Sequence, residues 1–117
     1  MANFERIVIS EVGEVTIVRF VDRKIIDADK IQQLGNELLH LVEVDGRRSL
    51  LLNFVGVEFL SSAALNMLVV LDRKVRSAGG RWKICNLRPE IHEVFVITRL
   101  VRMFDIRETE AEALKAF

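Results

Sequence analysis

The spacing of apolar and polar positions changes several times along the chain, and each change marks an element. Arg6 to Ser10 and Val15 to Val21 are apolar-rich and are separated by Glu11-Val12-Gly13-Glu14, which predicts a β-hairpin turning near Gly13. Its second arm, Val15-Thr16-Ile17-Val18-Arg19-Phe20, is rich in β-branched residues, as suits a half-buried strand. From Asp29 to Val44 the pattern becomes helical. Ile31, Leu34, Leu38, Leu41 and Val42 fall on one stripe, with Lys30, Gln33, Asn36, Glu37 and Glu43 off it. Asp29 followed by Gln32 has the layout of a capping box, so the helix is expected to begin at Asp29 and to stop at Gly46.

Ser49 to Phe54 reads as a nearly continuous apolar run too short for a helix, which predicts a central strand covered on both faces. Ser62 to Ala78 returns to helical spacing through Leu65, Leu68, Leu71 and Val75, with Asp72, Arg73, Lys74 and Arg76 on the expected wet side. Gly79-Gly80 ends it. Arg81 to Asn86 predicts another strand, and Pro89 suits the first turn of a helix carrying Ile91, Val94, Phe95 and Thr98. Met103 to Arg107 reads as a further strand, and Thr109 with Glu112 forms a capping box for a last helix running to Phe117. The order is β-β-α-β-α-β-α-β-α. It implies an α/β fold with a mostly parallel sheet, an N-terminal antiparallel hairpin and about four helices.

Composition narrows the function classes. The 117 residues are half hydrophobic, which fits a single domain over residues 1–117 better than a divided or disordered chain. Lys plus Arg and Asp plus Glu both number 17, so no global field steers the chain to nucleic acid or to an anionic membrane. Its apolar runs fall short of the roughly 20 residues a membrane helix needs, and the opening MANFERIVIS lacks a secretory layout. The expectation is a soluble cytoplasmic protein that binds neither nucleic acid nor membrane. The single cysteine, Cys85, excludes an internal disulfide and a multi-cysteine zinc site.

Catalytic candidates are sparse. Cys85 lies mid-strand and reads as a buried small hydrophobe, while His40 and His92 fall on different helices with no ligand neighbours. No phosphate-cradling glycine motif is present, and the basic clusters Arg47-Arg48, Arg73-Lys74-Arg76 and Arg81-Lys83 read as solvated helix faces and loop ends. No enzyme activity, metal or cofactor is expected. The informative segment is Val57-Glu58-Phe59-Leu60-Ser61-Ser62-Ala63-Ala64-Leu65-Asn66, between the central strand and the second helix. Either serine can cap the free N–H groups of the first helical turn. The alternative is regulated phosphorylation, because a helix N-terminus accepts a phosphate without refolding.

At this segment the chain resembles the STAS family, the sulfate transporter and anti-sigma factor antagonist domains. The family pattern is an apolar central strand, a short loop, F-[ML]-D-S-S-G-[LI] with an amphipathic helix, a Gly-Gly turn, a strand, and a helix starting near S-P or R-P. The matching stretches are Leu50 to Phe54, Phe59 to Leu65, Ala78-Gly79-Gly80 and Asn86-Leu87-Arg88-Pro89-Glu90. Val94 to Leu100 and Met103-Phe104-Asp105-Ile106 resemble the family's closing segment. The likeness spans nearly the whole chain.

The resemblance implies an anti-sigma factor antagonist, a binding module in partner-switching control of bacterial transcription. Its partner would be an anti-sigma factor that is also a serine kinase of the GHKL type, with a serine phosphatase as a possible second partner. Aligned on Phe59 and Leu65, Ser62 takes the phosphorylated position, with Ser61 as second choice. Ser61 stands where the family has Asp, and Ala63 and Ala64 stand for the following Ser and Gly. The partner-binding face is expected to include Asp27, Glu58, Ser61, Ser62, Ala63 and Asn66, with Asp27 equally suited to starting the first helix. A STAS scaffold in a larger assembly, never phosphorylated, is the alternative. Charged helix faces suit a monomer or a weak homodimer.

Overall fold

A computed structural model describes residues 4–117. The opening hairpin pairs β1 (Ile7–Val12) antiparallel to β2 (Val15–Phe20), with Ile9 opposite Val18. Gly13 takes φ +60° in its turn, a backbone conformation that costs glycine least. From β2 the sheet continues in parallel through β4 (Ser49–Asn53), β6 (Arg81–Cys85) and β7 (Ile106–Arg107), in the order β1-β2-β4-β6-β7. β4 is central, as its apolar run required. Leu50, Leu51 and Leu52 are all fully buried because both of their faces are covered.

Three helices cover one face. α1 (Ala28–Glu43), α2 (Ser62–Ser77) and α3 (Pro89–Ile97) bring Leu34, Leu38, Leu41, Leu68, Leu71, Val75, Ile91 and Phe95 onto Val18, Leu50, Leu52 and Ile84. Each such leucine contributes about 1.5–3 kcal/mol by leaving water, so this face dominates stability. α4 (Glu110–Lys115) lies on the other face, where Ala113, Leu114 and Phe117 pack with Val15, Ile17, Leu51 and Cys85. Thr109 caps it, its Oγ1 accepting from Glu112 N–H at 3.2 Å, as the Thr-x-x-Glu spacing predicts.

Several expectations are corrected. α1 begins at Ala28, not Asp29: Asp27 has extended dihedrals (φ −76°, ψ 126°), and its carboxylate accepts from the N–H groups of Asp29 and Lys30. Glu37 and Asp72, assigned to wet helix faces, are buried, because each carboxylate has donors within the chain. Glu37 accepts from the backbone N–H groups of Glu5 and Arg6 at 3.1 and 2.9 Å, which docks the start of β1 on α1. The strand expected over Met103 to Arg107 shrinks to Ile106–Arg107, because Leu100–Arg102 forms a 3-10 turn and Phe104 inserts into the core.

The sequence pattern also missed two strands. β3 (Lys24–Ile25) and β5 (Phe59–Leu60) form a separate two-stranded parallel ladder, with Lys24 opposite Phe59 and Ile25 opposite Leu60.

Candidate functional site

The site is built where the chain leaves the central strand. After β4, Phe54 N–H donates to Cys85 carbonyl O at 3.0 Å, and Phe54 and Val57 bury their side chains in the core. The intervening Val55 is held by Asn53, whose Oδ1 accepts its N–H at 2.9 Å. The loop is therefore pinned from beneath. It then joins the segment ahead of α1. Glu58 N–H donates to Arg23 carbonyl O at 2.7 Å, and Ser61 N–H donates to Ile25 carbonyl O at 3.1 Å. The small ladder thus brings the starts of α1 and α2 together at one end of the sheet, with Asp27 capping one helix and Ser61 the other.

The two serines occupy different environments. Ser61 has extended dihedrals and is the N-cap, its Oγ accepting from Ala64 N–H at 3.2 Å while its carbonyl accepts from Leu65 N–H at 3.1 Å. Ala64, aligned with the family glycine, is fully buried, so its methyl packs in the core. Ser62 is the first helical residue and is exposed, as are Ala63 and Asn66. One helical turn separates Ser62 from Asn66 and places them on one face. The capping reading therefore holds for Ser61. Ser62 makes no side-chain hydrogen bond among the described residues and presents a free hydroxyl beside the amides of the first turn.

Glu58 is partly engaged. Its carboxylate lies 3.8 Å from Arg23 and 3.9 Å from Arg88, and so links the start of the loop to the foot of α3. These two arginines were missed as neighbours of the site, since only the β3/β5 ladder and the Arg88-Pro89 turn bring them there. Phe59, more than half exposed at 55%, adds an apolar surface between Glu58 and the serines.

The other candidates lie elsewhere. Cys85 is fully buried under α4, and burial, reinforced by the charge of Glu110, pushes its thiol up to about 11 against a smaller lowering by Arg19. His40 is half-buried with Nε2 3.5 Å from Asp45, and His92 is exposed on α3. Among the described residues no group of three or more His, Cys, Asp or Glu could hold a metal ion. No helix described is long and apolar enough to cross a membrane. Lys83, expected at a loop end, is buried and ion-paired to Asp105 at 2.6 Å.

A loop pinned from beneath thus leads into a helix capped by Ser61, with Ser62 exposed at its start. The STAS domain profile matches residues 6–113, so this chain belongs to the STAS domain family. BtrV of Bordetella bronchiseptica, whose name proposes an anti-sigma factor antagonist, is 27% identical over 93 residues, covering 80% of this chain and 79% of that protein. A crystal structure from Thermotoga maritima, assigned provisionally to the same role, superposes with a TM-score of 0.83 at 20% identity, over 94% of this chain and 92% of that one. The Bacillus cell fate determinant SpoIIAA in its phosphorylated form gives a TM-score of 0.70 at 19% identity, over 94% and 97%.

Proposed function

We propose that this STAS domain is an anti-sigma factor antagonist whose binding to an anti-sigma factor is switched off by phosphorylation of Ser62. The observation that carries the reading is the division of labour between the serines. Ser61 spends its hydroxyl on Ala64 N–H, whereas Ser62 is exposed at the first helical position. The names of the Bordetella and Thermotoga relatives support the antagonist role, and SpoIIAA is a protein of this fold that exists in a phosphorylated form.

The chemistry follows from the position. A phosphate on Ser62 meets unpaired amides and the positive end of the α2 dipole, so the fold holds it without rearrangement. It also adds about two negative charges to the exposed surface of Asp27, Glu58, Ala63 and Asn66, which repels an acidic or apolar partner. The partner is a serine kinase of the GHKL type, and a serine phosphatase restores the binding form. The protein works in the cytoplasm and performs no catalysis of its own.

The test is affinity capture from native cell extract with wild type and with Ser62→Asp, with partners identified by mass spectrometry. Wild type should retain a kinase of the GHKL fold that Ser62→Asp loses. Retention of one and the same large assembly by both forms would overturn the switch and leave a STAS scaffold that is never phosphorylated.

A further inference from the structure

The strand order leaves β1 at one edge of the sheet, and the hydrogen bonds of the hairpin fix which of its backbone groups stay open. Val21 N–H donates to Arg6 carbonyl O at 3.0 Å, so Arg6 and Val21 form a bonded pair. Bonded pairs alternate along an antiparallel ladder, which commits the backbone groups of Val8, Ser10 and Val12 to β2. The N–H and C=O groups of Ile7, Ile9 and Glu11 point the other way. No strand meets them among the described residues. Ile7 is only 2% exposed, so its groups are already covered, whereas Ile9 is half-buried and Glu11 is exposed.

An open edge is normally guarded by lysine, proline or a bulge. β1 reads Ile-Val-Ile-Ser-Glu-Val and pairs with β2 without a bulge. Its one charge, Glu11, is held by Arg47 on the chain's own surface, so it does not guard the edge. Val8, Ser10 and Val12 lie opposite Arg19, Ile17 and Val15, which puts them on the α4 face. α4 packs on β4, β6 and β7, and Val8 and Val12 remain 61% and 49% exposed. Open backbone and open apolar surface thus lie side by side.

We infer that two copies of this chain pair antiparallel along β1, with Ser10 facing Ser10 of the second copy across a two-fold axis. The burial of Ile7 selects that register. The open groups left are those of Ile9 and Glu11, and only this alignment uses both in each copy, Ile9 bonding Glu11 of the second copy and Glu11 its Ile9. The same register sets Val8 opposite Val12 of the second copy at non-bonded positions, where side chains approach most closely, so all four valines leave water. It also sets Arg6 opposite Glu14 of the second copy, a carboxylate with no ion pair among the described residues. Backbone, apolar surface and charge are therefore all self-complementary. The contact is smaller than the roughly 1,200 Å² of stable interfaces, so the dimer is weak and forms at about 100 μM.

The pairing does not rest on the reading of Ser62, so Ser62→Asp should associate like wild type. Sedimentation velocity from about 10 μM to about 1 mM should show monomer passing to dimer. Val8→Lys combined with Val12→Lys sets like charges opposite each other at exposed positions, and should raise the dissociation constant about tenfold while the dilute chain melts like wild type. Ser10→Cys tests the register, since Cα atoms of a non-bonded antiparallel pair lie about 4.5 Å apart, within disulfide range. Under mild oxidation Ser10→Cys should form a disulfide dimer, as should a mixture of Val8→Cys and Val12→Cys, while neither of those two alone should. Cys85 is buried and does not compete. A chain that stays monomeric to the highest concentration would overturn the pairing and leave the edge to a strand of another protein. A dimer unmoved by the two lysines, not cross-linked by Ser10→Cys, or cross-linked by Val8→Cys alone would overturn it as well.

Discussion

Ser61 and Ser62 are neighbours in sequence with opposite roles in the fold: Ser61 Oγ closes the first turn of α2 on Ala64 N–H at 3.2 Å, and Ser62 stands exposed beside it. Stability should separate the two. Ser61→Ala should cost about 1 kcal/mol, the ordinary loss of an N-cap, whereas Ser62→Ala should change stability by less than about 0.5 kcal/mol. Urea denaturation with unchanged slope measures both. Equal losses would contradict the assignment of the cap to Ser61.

The buried Asp72 carboxylate receives the Trp82 indole and the Arg76 guanidinium. Asp72→Ala leaves the indole N–H without its partner in a buried site, and should cost about 2–3 kcal/mol. Trp82→Phe removes one donor but leaves Arg76 on the carboxylate, so any further loss comes from the smaller ring. Thermal unfolding should rank Asp72→Ala well below Asp72→Asn, which keeps an acceptor oxygen for the indole. Identical melting temperatures for wild type and Asp72→Ala would refute this.

Asp105 is held below the usual carboxylate range, chiefly by its hydrogen bond from Arg107, with Lys83 adding a bond and a charge against a partial desolvation cost. A depressed folded pKa means that the ionised group stabilises above its unfolded value of about 3.9 and loses that contribution as pH falls through the folded value. The melting temperatures of wild type and Asp105→Asn should therefore differ most near neutrality and converge below pH about 4. A gap that stays constant into acid would show that the pair contributes nothing through ionisation.

Cys85 is fully buried and its thiol is pushed up to about 11 by burial, with Glu110 adding to the shift. Because the thiolate is the reactive form, the native protein should resist a thiol reagent at pH about 8 and react fully once unfolded in urea. Rapid labelling of the native state would place Cys85 in a far more open setting.

The legibility of the chain follows the length of its signals. The hairpin arms and the central strand are apolar-rich runs of five or more residues and α2 repeats the helical period, so their place was readable within a residue or two. β3 and β5 have two residues each and carry no period, yet they bring Asp27 and Ser61 to the same end of the sheet. Pattern alone could not find them. Glu37 and Asp72 were misplaced because a charged residue on a helix reads as wet, and only the tertiary donors Glu5, Arg6 and Trp82 make burial tolerable. Asp27 and Asp29 are both plausible caps by type, and backbone dihedrals choose between them. At the site, the serine pair was legible, but which hydroxyl caps was not.

The most direct test of Ser62 as the switch is phosphate mapping after incubation with the cognate kinase and ATP. Trypsin releases the peptide Ser49–Arg73, which carries Ser49, Ser61 and Ser62, and fragmentation assigns the modified residue. One phosphate should appear on Ser62 and none in Ser62→Ala, and kinase binding in calorimetry should be lost once it is attached. Phosphate on Ser61, or a protein left unmodified after incubation with kinase and ATP, would contradict it.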